Sequence, residues 1–87
     1  MKGYAYRDKY GILHVVDDLD TAQGYAVGPI KEVDCDHAVG YLMVDGKEIF
    51  DYGNGEVYVG GNKESGVPLE ESPIAELVKD VLAKIGL

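Results

Sequence analysis

The chain has 87 residues, 46% apolar and 28% charged, with twelve glycines, seven tyrosines and a formal net charge of −8. This length makes one domain, residues 1–87, too small for a catalytic unit beside a regulatory one or for a large internal ligand cavity. The acidic balance argues against direct binding to nucleic acid or to an anionic membrane, and no apolar run approaches membrane-spanning length.

The N-terminus, Met1-Lys2-Gly3-Tyr4, has no signal-peptide core, and Cys35 is the single cysteine, so no intramolecular disulfide can form. A thiol-reducing, cytoplasmic setting is the expectation. Tyr4–Arg7 and Ile12–Val16 flank Asp8-Lys9-Tyr10-Gly11, where Asp at the first and Gly at the fourth turn position predict a hairpin closing in a bulge. Counting outward pairs Asp8 with Ile12, Tyr6 with His14 and Tyr4 with Val16. His14 among tyrosines reads as a hydrogen-bonded side chain rather than a base.

Asp17–Gln23 is acidic; Asp18 or Asp20 suits the cap of one helical turn stopped by Gly24. Tyr25–Val33 is extended but broken at Gly28-Pro29, which predicts an edge or kinked strand. Asp34-Cys35-Asp36-His37 then forms a polar turn.

Val39–Val59 carries three apolar segments separated by Asp45-Gly46 and Asn54-Gly55, both strong two-residue hairpin signals. With two-residue turns, Val44 faces Lys47, Leu42 faces Ile49, Tyr52 faces Val57 and Phe50 faces Val59. One face then holds Val39, Tyr41, Met43, Phe50, Tyr52, Val57 and Val59, and the other Leu42, Val44, Ile49, Asp51 and Tyr58. Gly60–Ser72 reads as a loop. Ser72 and Pro73 open a helix in which Ile74, Leu77, Val78, Val81, Leu82 and Ile85 form one stripe, ended by Gly86.

Chemical motifs are sparse. Asp17, Asp18 and Asp20 with Cys35, Asp36 and His37 offer oxygen, sulfur and nitrogen donors, but without the spacing of zinc or calcium sites. Cys35 and His37, with His14 as a possible third member, are the sole thiol–imidazole combination, and catalytic pairs normally come from separated segments. Gly55–Gly61 lacks the Lys-Ser/Thr ending of a phosphate loop. No cofactor is implied.

The expected fold is α+β: an antiparallel sheet of about five strands, made from the N-terminal hairpin and the central meander, with the C-terminal helix across its Tyr41/Phe50/Val59 face. The opposite face, Leu42, Val44, Ile49, Asp51 and Tyr58, is then either covered by the N-terminal hairpin or left as an interaction surface. The functional expectation is a small acidic cytoplasmic adaptor without catalysis, binding a protein partner or a second copy of itself through that face. The alternatives are an acidic protein that occupies a basic partner's site, and a metal-dependent or thiol enzyme built on Asp17–Asp20 and Cys35–His37.

Overall fold

A computed structural model describes all 87 residues. The first hairpin, β1 (Lys2–Arg7) and β2 (Leu13–Val16), takes the register that its turn predicts: Tyr4 opposite Val16 and Tyr6 opposite His14. The Gly11 N–H donates to Asp8 O at 3.0 Å and the Asp8 N–H to Ile12 O at 3.1 Å, with Gly11 at φ 86°. A helix follows, α1 (Leu19–Tyr25), whose cap is Asp18: its carboxylate accepts from the Asp20 and Thr21 N–H groups, and the helix runs through Gly24, the expected stop, to its C-cap at Ala26. Strand β3 (Lys31–Asp34) returns along β1, so this sheet has the order β2-β1-β3 and β3 lies at its edge.

The meander forms a second sheet, β4 (Leu42–Val44), β5 (Lys47–Asp51), β6 (Val57–Val59) and β7 (Val67–Pro68) in that order. Around Asp45-Gly46 the pairing is the expected one, Leu42 with Ile49 and Val44 with Lys47. Around the second turn it is not. Phe50 pairs with Tyr58 and Ile49 with Val59, and the Tyr52 N–H donates to Glu56 O. The turn therefore spans three residues, Gly53-Asn54-Gly55, with both glycines at positive φ. A one-residue slip turns every side chain of a strand over. Val59 moves to the Leu42/Ile49 face, and Tyr58 joins Tyr41, Phe50 and Tyr52.

That slip places Val59 with Leu42, Val44 and Ile49 on the inner face. Ala5, Leu13, Val15, Leu42, Val44, Ile49, Val59, Leu69, Val78 and Ile85 form one buried cluster, while Tyr41, Phe50, Tyr52 and Tyr58 stay half-buried and Val39 is exposed. The expected single five-stranded sheet is thus replaced by two antiparallel sheets of three and four strands, and the helix packs on the face opposite the one expected. The N-terminal sheet supplies Ala5, Leu13 and Val15 to the same core; its β2 edge meets the meander where Val16 bridges Val39 and the Gly40 N–H donates to Val15 O at 2.9 Å. Tyr6 is buried as well, whereas the tyrosines of the meander stay half-buried, since a tyrosine can bury its ring and keep its hydroxyl wet.

The segment after β6 is more ordered than a loop: β7 leads into a 3₁₀ turn, Leu69–Glu71. Helix α2 runs Ala75–Ile85, so Ser72 and Pro73 precede rather than begin it. The Ser72 hydroxyl accepts from the Ile74 N–H, and Gly86 ends the helix at φ 69°. Of its stripe, Val78 and Ile85 are in the core, whereas Leu77 is 47% exposed.

One buried ion pair ties the two sheets together. The Arg7 guanidinium on β1 donates to both oxygens of Asp51 on β5, at 3.1 and 3.2 Å, and also to Gly11 O and Leu87 O, each at 2.9 Å. Beside it the two turns touch: a Cβ built on Gly53 would sit 2.6 Å from Gly11 O.

Candidate interaction groove

The residues proposed for an interaction surface lie mostly inside the chain. Leu42, Val44, Ile49 and Asp51 are all buried, the last as the partner of Arg7, so the apolar face expected to be open is covered by the N-terminal sheet and α2. Tyr58 is half-buried and on the other face.

The metal and thiol candidates are not brought together either. Asp18 is spent on capping α1; the Thr21 hydroxyl, then the Asp20 N–H, hold its carboxyl below the usual range. Asp17, Asp20 and His37 are exposed, and no three His, Cys, Asp or Glu side chains are grouped so as to hold a metal ion. The Cys35 thiol packs over Gly3, whose added Cβ would lie 2.8 Å from Sγ. His14 is fully engaged elsewhere: Nε2 lies 2.7 Å from Asp8 Oδ2 and Nδ1 lies 2.9 Å from Gly40 O. Burial works against the charged Asp8, but the His14 bond and the Tyr10 and Ile12 N–H groups outweigh it and lower its pKa.

Two surface features remain. The first is a row of rings across both sheets, Tyr6–His14–Tyr41–Phe50–Tyr52–Tyr58, with successive centroids 4.3–6.4 Å apart. Its far end is closed by Lys63, which lies 5.0 Å over the Tyr52 ring and pairs with Glu56 at 3.1 Å; Glu56 in turn accepts from the Tyr58 hydroxyl. These rings are partnered by one another and by this polar clasp, which makes the row a seam between the sheets.

The second is concave. An open groove of about 780 Å³ runs between β3, β4 and α2. Val33, Leu42, Met43, Leu77 and Val81 are among its apolar lining residues, and Glu32, Asp34, Asp36 and Asp45 are its acidic ones. Lys84 and the Met1 amine are the cations among its lining groups. Glu32 makes one exposed contact with Lys2 at 3.5 Å, while Asp34, Asp36 and Asp45 enter no salt bridge. Sequence reading placed Asp34–Asp36 in a polar turn and Leu77 in the buried stripe. The one available signal was charge, since nine of the sixteen acidic residues fall in 34–73.

Compared with protein-family models, curated proteins and solved structures, the chain matches none. No helix is long and apolar enough to cross a membrane.

Proposed function

We propose that this chain is a non-catalytic protein-interaction module that holds a basic segment of a partner protein in the groove between β3, β4 and α2. The observation that carries this reading is that three exposed aspartates, Asp34, Asp36 and Asp45, border the same groove as Val33, Met43, Leu77 and Val81 and enter no salt bridge. Apolar contact supplies the area of an interface, and unpaired charge selects the partner's sign and speeds encounter. The non-catalytic part rests on the engagement of His14 by Asp8 and Gly40 and on the inward packing of Cys35 over Gly3.

Selection of random displayed peptides against the purified chain tests the proposal. Enriched peptides are expected to combine Lys or Arg with apolar residues, to bind less tightly as salt screens the exposed charges, and to lose binding to the triple variant Asp34→Asn, Asp36→Asn, Asp45→Asn. Enrichment of neutral or acidic peptides, or binding that the triple variant retains in full, refutes it.

A further inference from the structure

We infer that the groove takes its basic segment as an added β-strand on the free edge of β3, with apolar and basic side chains alternating along the segment; this rests on the groove being the binding site and specifies how the partner is held.

The argument starts from the hydrogen-bond phase of β3. The Met1 amine donates to Cys35 O and the Cys35 N–H donates to Met1 O, each at 3.0 Å. Lys2 pairs with Asp34, Gly3 with Val33, Tyr4 with Glu32 and Ala5 with Lys31. In an antiparallel ladder hydrogen-bonded and non-hydrogen-bonded pairs alternate. Val33 and Lys31 therefore direct their backbone groups at β1, as Cys35 does, whereas Glu32 and Asp34 direct theirs at the open edge. Neither makes a backbone bond in any turn or loop. The edge thus presents two donor–acceptor couples, two residues apart, which is the template that an extended peptide reads. The same alternation leaves the Met43 N–H and C=O unpaired on β4, which also lines the groove.

The side chains set the pattern of the ligand. Val33 packs against the core, and Glu32 and Asp34 point to the other, exposed face of β3. A strand laid beside β3 alternates in the same way. Its residues on the core side meet Leu77 and Val81 of α2, which share the groove with β3, and favour apolar groups. Its residues on the outer side stand across from Glu32 and Asp34 and favour Lys or Arg, since opposite charges attract across paired strands.

The test uses the full chain, labelled with ¹⁵N, and two synthetic peptides of equal composition, acetyl-KVKVKVK-amide and acetyl-KKVVVKK-amide. The alternating peptide is expected to bind at least about tenfold more tightly, to shift and protect from exchange the Glu32 and Asp34 amides, and to lose binding when the residues facing β3 are N-methylated but not when their neighbours are. Asp34→Pro removes an edge donor without touching the β1 ladder. It is expected to weaken the alternating peptide well beyond Asp34→Asn, which keeps the N–H. Equal binding of the two peptides with shifts confined to the groove overturns strand addition and leaves the groove as the site. Binding by neither peptide overturns the groove reading and strand addition together.

Discussion

The Arg7–Asp51 pair is the point at which the joint between the two sheets can be measured. Its geometry is bidentate, with contacts of 3.1 and 3.2 Å, and Asp51 also accepts from the Gly53 N–H at 2.9 Å. The Asp51 side chain is 9% exposed and that of Arg7 24%. Removing one partner of a buried pair strands a charge and costs about 3–5 kcal/mol. Because water still reaches part of Arg7, Asp51→Leu and Arg7→Met are each expected at the low end, about 3 kcal/mol. A domain of this length is stable by about 4–13 kcal/mol in total. The expected fall in Tm is about 12–24 °C, at about 4–8 °C per kcal/mol. The double variant decides the mechanism. Replacing both charges with apolar groups leaves no stranded ion, so the pair of substitutions should cost no more than either single one, at most about 3 kcal/mol, rather than the sum of about 6. Urea unfolding followed by far-UV circular dichroism gives all three values, with unchanged m confirming that the folded state is retained. Single costs under about 1 kcal/mol, or additivity within about 0.5 kcal/mol, would refute the reasoning.

Three further outcomes follow from the same packing. Gly55→Ala should cost about 1–2 kcal/mol for its positive φ alone, since nothing lies within 4 Å of the added methyl. Gly53→Ala should cost about 1–3 kcal/mol more, because its methyl runs into Gly11 O; equal urea midpoints for the two variants would count against the turn-to-turn contact. The lowered pKa of Asp8 means that its contribution is present above the unfolded carboxylate value of about 3.9 and is lost as pH falls through the lower folded value. Asp8→Asn should therefore lose less stability than the parent between about pH 5 and about pH 2, and parallel stability–pH curves would contradict this. Finally, Ile49→Asp places a charge in the fully buried core and should abolish folding, whereas Leu77→Asp on the groove wall should leave the unfolding midpoint nearly unchanged. A folded Ile49→Asp protein would restore the face assignment that the sequence pattern first suggested.

What the sequence determined by itself is what depends on a few adjacent residues. The Asp8–Gly11 turn, the Asp45-Gly46 register and the Gly86 stop are each set by backbone preferences within one turn of chain and appear as the residues imply, whereas of the two capping candidates, Asp18 and Asp20, it is Asp18 that caps α1. The second hairpin marks the boundary. Gly53-Asn54-Gly55 supports a two-residue or a three-residue turn, and the local signal does not separate them although the choice inverts β6. Both faces of the meander carry apolar residues, so the choice of inner face lay outside it, in Ala5, Leu13, Val15, Val78 and Ile85, which fill a core on one side only. Arg7 and Asp51 are 44 residues apart, and the groove is assembled from β3, β4 and α2. A pattern read along the chain carries period and turn chemistry. It does not carry the distances between segments, and in this protein the packing of two sheets on one helix decided which side chains were left to meet a partner.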